Sequence, residues 1–309
     1  MKRTKPTSTA LRYLESGDPT MAGEGRCADE NASVAAAAYT AAGLRVPVPE
    51  DHWTEELFVA HDEIFLRIHE HGWAIGEEQA RDLEAILVRH GIPAGARILD
   101  VPCGIGRHAT RLAKAGYTIL GLDLSPAYVR RAQDLAAHEG VTDRATYRVG
   151  DMRDLRRSIM GSEGPFDAAM NLWTSLGYYG ETTDAAILKG YADLVRPGGL
   201  LVLYVVNRDW VVRHFDPHGW EEFGDLVEIE DRHLDLDASH MRNEWRFFHR
   251  KGEDLEGIVT MHIDHRIYSL HELRSLFERS GWRVEGTYGS YKMDPATLDS
   301  PSLLVVGRK

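Results

Sequence analysis

The sequence predicts an α/β fold built on a mostly parallel sheet, and three observations carry that reading. Between residues 97 and 205, short apolar runs alternate with amphipathic stretches, the pattern of parallel strands joined by right-handed helical crossovers. The first run, Ile98-Leu99-Asp100, passes through Val101-Pro102-Cys103-Gly104-Ile105-Gly106 into a helix start at Arg107-His108. The second, Tyr117–Leu122, ends on Asp123 and is followed by Ser125 as a helix cap and Pro126 as the first helical residue.

Taken in order, residues 1–50 are rich in Ala, Gly, Ser, Thr and Glu and poor in large apolar side chains. They are expected to form a disordered extension with a short helix across 33–42, a lid or an oligomer arm being the alternative. From Asp51 onward Trp53, Leu57, Phe58, Phe65 and Ile68 recur at helical spacing, and a helix near 77–90 leads into the first strand. Strands are expected near 97–101, 118–122, 146–149, 167–171 and 200–206, and helices near 107–115, 126–139 and 184–195. Residues 207–268 break the alternation. There 226–233, 241–248 and 258–268 read as period-two strands of an antiparallel insert. Ser269-Leu270-His271-Glu272 is a capping box that restarts a helix, and strands near 282–288 and 302–307 close the chain as a reversed hairpin. The expected organisation is thus an extension, 1–50, and one domain, 51–309, carrying the insert at 207–268.

Ligands of such sheets bind beyond the carboxyl ends of the strands, which places the glycine turn, Asp100 and Asp123 together and the insert on the same side as a roof. The two glycines let the backbone turn sharply and leave no side chain between main chain and ligand. Asp123 lies about 20 residues further on, where a carboxylate can take both hydroxyls of a ribose. A dinucleotide would use the same geometry, and Ala109 satisfies the relaxed form of its glycine fingerprint. Asp100 separates the two ligands: a carboxylate repels a pyrophosphate but suits the amino group of S-adenosylmethionine.

These residues resemble the class I S-adenosylmethionine-dependent methyltransferases over about residues 50–309. The resemblance continues through Gly150-Asp151-Met152, Phe166-Asp167-Ala168-Ala169-Met170-Asn171 and Leu194-Val195-Arg196-Pro197-Gly198-Gly199-Leu200. It implies a Rossmann-like methyltransferase sheet with a cofactor site at Asp100, Cys103, Gly104, Gly106, Asp123, Leu124, Asp151, Met152 and Asn171. In it Asp123 holds the ribose, Asp151 and the Met152 backbone meet the adenine, and Asp100 with the glycine turn holds the methionine part. A cap for the turn that follows is the alternative for Asp151, and its place in the motif favours the cofactor role. His108 reads as a neutral donor near the cofactor or as a packed helix residue. Trp173-Thr174-Ser175-Leu176-Gly177-Tyr178 and the ending Asp299–Val306 are similar to a small-molecule subgroup, with Trp53 and Phe58 as part of a lid.

Acceptor contacts are expected from Trp173, Tyr178 and Tyr179 after the fourth strand, from Asn207 and Arg208 after the fifth, and from His233 and Arg246 in the insert. In related sugar-amine N-methyltransferases a His stands where this chain has Tyr178. With an ordinary pKa near 10, Tyr178 suits hydrogen bonding better than proton removal; Tyr178 and Tyr179 are the catalytic candidates. On Met241–Phe248 the face of Met241, Asn243, Trp245 and Phe247 is the more apolar and is expected to pack on the sheet. That leaves Arg246 toward pocket or solvent. His214-Asp216-His218 and His262-Asp264-His265 carry metal-type side chains, but His262 and His265 fall on opposite strand faces and no metal is expected.

Composition narrows the rest. A formal net charge of −12 argues against a nucleic-acid surface, and Arg153, Arg156 and Arg157 read as a solvated face. Cys27 and Cys103 are the two cysteines; no disulfide is expected, which fits a reducing cytoplasm. No apolar run reaches the roughly 18 residues of a membrane span. The expected protein is a cytoplasmic enzyme transferring a methyl group from S-adenosylmethionine to nitrogen or oxygen of a small molecule. RNA or protein methylation and a non-catalytic cofactor-binding module are the alternatives, and a homo-oligomer stays open.

Overall fold

A computed structural model describes residues 52–159 and 164–309. The extension over 1–50, its helix and Cys27 therefore lie outside the described residues. Seven strands form the central sheet: β1 Arg97–Asp100, β2 Thr118–Asp123, β3 Ala145–Val149, β4 Phe166–Asn171, β5 Val195–Val206, β10 Arg283–Tyr288 and β11 Ser302–Arg308. Their order is β10-β11-β5-β4-β1-β2-β3. The first five are mutually parallel; β11 runs antiparallel to β5, and β10, antiparallel to β11, is again parallel to the first five. The strand order reverses next to β1, so the crevice that such sheets offer to ligands opens at the carboxyl ends of β1, β2 and β4.

The sheet is apolar on both faces, as a strand ladder covered by helices must be. Along β5, Leu200, Val202 and Tyr204 enter one core with Ile98, Leu304 and Val306. Leu201, Leu203 and Val205 enter the other with Leu99, Leu303 and Val305, the period of two expected of extended backbone. The first core is covered by helices Gly76–Arg89, Ala109–Lys114 and Pro126–His138, the second by Glu181–Leu194 and Leu270–Arg279. Both sequence-read caps form: Ser125 accepts from the Tyr128 N–H, and Ser269 with Glu272 makes the full capping box.

The insert is a four-stranded antiparallel meander: β6 His218–Phe223, β7 Leu226–Asp235, β8 His240–Lys251 and β9 Asp254–Arg266. The sequence offers no period-two signal for β6, whose Trp220 is half exposed and whose Glu221-Glu222 are adjacent. Neither β6 nor the helix Arg208–Arg213 that precedes it was among the expected elements. A layer of short helical segments, Trp53–Glu55, Glu56–Ala60 and Asp62–His71, packs between the insert and the helix Pro126–His138. Its Leu57, Ile64 and Ile68 join Phe223, Leu226, Phe247, Met261 and Ile263 in a third core.

Candidate functional site

Two cavities meet beyond the carboxyl ends of β1, β2 and β4. The first, about 850 Å³, is lined by the glycine turn and by the ends of the strands that flank it. Gly104 and Gly106 take positive φ, 53° and 74°, which the sharp turn requires. The turn wraps onto Asp123: the Gly104 N–H donates to Oδ2 at 2.8 Å and the Ser125 N–H to Oδ1 at 3.0 Å. Asp123 is held at about 6 by burial, which these backbone donors only partly offset. Asp100 is raised further, to about 8, by burial and then by the charge of Asp123.

Of the sequence-read cofactor residues, Asp100, Cys103, Gly104, Asp123, Leu124, Asp151 and Met152 line this cavity. Gly106 does not: it makes room for Tyr147, whose hydroxyl oxygen would lie 2.6 Å from any added Cβ. Asn171 does not line it either. Fully buried at the end of β4, it donates to the Tyr191 hydroxyl oxygen at 3.2 Å. Asp151 caps the turn at Met152–Asp154 by accepting from the Arg153 N–H, and its carboxylate pairs with the Arg153 guanidinium at 2.7 Å. That Arg153 is not on a solvated face: its side chain is buried, pairs also with Glu55 and lies over the ring of Tyr179. Cys103 is a buried free thiol held well above its usual range by burial. His108 pairs with Gln79 at 2.9 Å and is kept neutral by burial.

Two basic residues of this cavity carry no signal in the sequence. Arg107 reads as a helix start, yet it is 5 % exposed, its guanidinium lies over the Trp173 ring at 4.6 Å, and its Nη2 has no hydrogen-bond partner. His69 comes from the helix layer, far from any motif, and burial followed by the charge of Arg107 lowers it to about 3. A cation buried with an unfilled donor costs several kcal/mol unless something pairs with it; that is the signal the sequence could not show.

The second cavity, about 930 Å³, lies under the insert. Phe58, Phe65, Trp173 and Tyr178 line both cavities and so form their common wall. Register decides what the insert contributes. Ile229 faces Arg246, Asp231 faces Glu244 and His233 faces Arg242 across β7 and β8. Arg246 pairs there with Asp231 and Glu244 on the outer side, and His233 shares that side. The opposite face, with Glu230, Arg232, Met241, Asn243 and Trp245, lines the cavity. So Arg246 and His233 do not reach the site. The apolar face of β8 looks inward, as read, but it borders an open chamber rather than the sheet.

Asn207 and Arg208 are also displaced from the site. Asn207 caps the helix Arg208–Arg213 and donates to the Ser300 carbonyl oxygen at 2.9 Å; Arg208 donates to Ser239 Oγ at 2.9 Å. Neither lines a cavity. Asparagine at a strand-to-helix junction is ordinary cap chemistry, and here that chemistry prevails. Trp173, Tyr178 and Tyr179 are at the site as expected. Burial holds Tyr178 above its usual range and Tyr179 up at about 12, so both keep their protons near neutral pH.

Comparison with known proteins agrees with this geometry. The Methyltransferase domain family matches residues 98–199. The dTDP-3-amino-3,4,6-trideoxy-alpha-D-glucopyranose N,N-dimethyltransferase of Streptomyces venezuelae is 30% identical over 218 residues, 67% of this chain and 83% of that one. A ubiquinone biosynthesis O-methyltransferase of Xanthomonas axonopodis pv. citri is 37% identical over 116 residues, 38% of this chain, and the match spans only 45% of that relative's length. Among solved structures, Streptomyces venezuelae DesVI superposes with a TM-score of 0.60 at 20% identity, covering 80% of this chain and 98% of its own. An S-adenosylmethionine-dependent methyltransferase of Clostridium acetobutylicum superposes at 0.63 and 12%, over 74% and 89%. The chain belongs to the class I S-adenosylmethionine-dependent methyltransferases. Among the described residues no helix is long and apolar enough to cross a membrane.

Proposed function

We propose that this methyltransferase carries a methyl group from S-adenosylmethionine in the first cavity to nitrogen or oxygen of a small molecule in the second. The observation that carries the proposal is their common wall, Phe58, Phe65, Trp173 and Tyr178, with strand-end acids on one side and a largely apolar chamber on the other. The relatives' named reactions, on a nucleotide sugar amine and in ubiquinone biosynthesis, fit a small-molecule acceptor.

The residues present suit the cofactor. Arg107 offers an unpartnered buried donor, and Asp100 takes no hydrogen bond from any described residue, so a zwitterionic amino-acid end satisfies both. Asp123 would take the ribose hydroxyls. Asp151, Leu124 and Met152 would border the adenine. The bound cofactor supplies an already activated methyl group. The chain's part is then to position the acceptor and exclude water, for which the aromatic wall is built. Tyr178 and Tyr179 act as hydrogen-bonding hydroxyls, since neither releases a proton near neutral pH. Incubation with methyl-labelled cofactor and separated metabolite, RNA and protein fractions tests the proposal; label in RNA or protein alone would refute it.

Two expectations follow from the charges. Arg107→Leu removes a buried cation whose Nη2 has no hydrogen-bond partner, so the ligand-free protein should melt no lower than the wild type. S-adenosylhomocysteine affinity should nevertheless fall about 10- to 100-fold, the worth of roughly 1.5–3 kcal/mol for a hydrogen bond to a charged group. Calorimetry with unchanged affinity would remove Arg107 from the site. The second concerns pH. Asp100 and Asp123 bind protons in the empty site up to about 8 and about 6, whereas the ligand's ammonium and hydroxyls favour the ionised carboxylates. Binding must therefore expel protons, and affinity should rise from pH 6 to 8 and level off above. Titrations in buffers of different ionisation enthalpy measure that release; tighter binding at the acid end would contradict it.

A further inference from the structure

The chamber under the insert has a chemical character of its own. Six of its walls are aromatic: Trp53, Phe58, Phe65, Trp173, Tyr178 and Trp245. Most of the remaining lining is aliphatic, including Leu57, Met241 and Ile263. Its single cation, Arg232, is already matched by Glu230 at 2.8 Å, and Trp245 Nε1 donates to that same carboxylate at 3.1 Å. Glu221 and Glu228, both buried, stand on the same face beside this pair. A diphosphate needs unmatched lysine or arginine donors, and none of the lining residues supplies one.

Two polar groups in the chamber are unspent. Asn243 is 7 % exposed, makes no hydrogen bond to any described residue, and its Oδ1 is buried without a partner. His265 lines the same chamber, likewise without a hydrogen bond, and burial lowers it to about 4. The register sets them on one face: Asn243 lies opposite Ile263, and His265 opposite Met241, one step along the same face. An amide and a neutral imidazole side by side each offer a donor and an acceptor. A buried amide left empty costs free energy that a ligand N–H or O–H would recover.

We infer that the acceptor is a ring-built, mostly apolar molecule without a phosphate, bound at its polar end by Asn243 and His265. It thus departs from the nucleotide sugar named for the Streptomyces relative. The inference rests on the proposed function, because it takes the second cavity as the acceptor site.

The test is calorimetric titration of the full chain loaded with S-adenosylhomocysteine, using 2-naphthol and 6-aminoquinoline as ring probes and thymidine diphosphate as the anionic one. At least one ring probe should bind saturably, and thymidine diphosphate at least tenfold more weakly. Asn243→Leu should weaken the ring probe at least fivefold while S-adenosylhomocysteine still binds as in the wild type. His265→Phe should do the same and serves if the first variant does not fold. Equal or tighter thymidine diphosphate binding, no ring-probe binding, or indifference to both substitutions would each overturn the inference. Retained S-adenosylhomocysteine binding in those cases would leave the methyl-donor site standing; its loss from the wild type would strike the proposed function itself.

Discussion

Asp123→Ala is expected to lower S-adenosylhomocysteine affinity by at least about tenfold, and by more than the loss of two ribose contacts alone would require. Charge-assisted hydrogen bonds are worth roughly 1.5–3 kcal/mol each. In addition, the Asp123 carboxylate is the acceptor that holds the Gly104 and Ser125 N–H groups. Without it the glycine turn keeps only the Cys103 N–H to Leu122 carbonyl bond as its hydrogen-bonded tie to β2 among those described, so the methionine-binding side should loosen together with the ribose side. Asp123→Asn separates the two effects, since its amide oxygen can keep one backbone donor while the charge is gone. The expected order of affinity is wild type, then Asn, then Ala, with secondary structure unchanged by circular dichroism. Wild-type affinity in a folded Ala variant would take Asp123 out of the site.

The largest stability effect is expected at Gly177. Its φ is 109°, and an added Cβ would sit 2.1 Å from the Arg266 carbonyl oxygen. That oxygen belongs to backbone which cannot simply withdraw, because the Arg266 N–H donates to the Gly177 carbonyl oxygen at 2.8 Å. Asp184 holds the same turn: it accepts from the Gly177 N–H, and from the Tyr268 hydroxyl at 2.6 Å. Gly177→Ala should therefore cost about 3 kcal/mol or more, a fall in Tm of roughly 6–12 °C. Gly180→Ala is the control, with φ 82° but nothing within 4 Å of its added Cβ, and should cost only about 1 kcal/mol. Equal losses in the two variants would show that the contact with Arg266 is not what makes Gly177 necessary.

Most of the sheet was legible because its strands are apolar on both faces and its turns carry glycine, proline and cap residues in the order that parallel crossovers demand. Strand alternation also separated the two faces of β8 correctly. What the sequence did not show was the direction in which each face would look, since an apolar face packs equally well against a core or around a ligand. The same limit hid Arg107 and His69: a basic residue at the end of a helix reads as solvated until the tertiary structure buries it. Asn207 and Arg208 were misplaced for the opposite reason. They stand next to the site in sequence, yet local capping and a hydrogen bond to Ser239 turn them aside. The β6 strand was lost because its register partner, β7, holds it in place, not its own propensity.

The four side chains shared by the two cavities have an evolutionary consequence. Each of them borders both chambers, so any shift it makes when one is filled would reshape the other, and linkage would make that influence equal in both directions. On the proposed function, a substitution at Phe58, Phe65, Trp173 or Tyr178 would therefore retune acceptor choice only together with the hold on the methyl donor. The inward positions of the meander, such as Met241, Trp245 and Ile263, touch only the second chamber. On the proposed function, substitutions there that keep the meander packed would alter the acceptor chamber and leave the donor half intact.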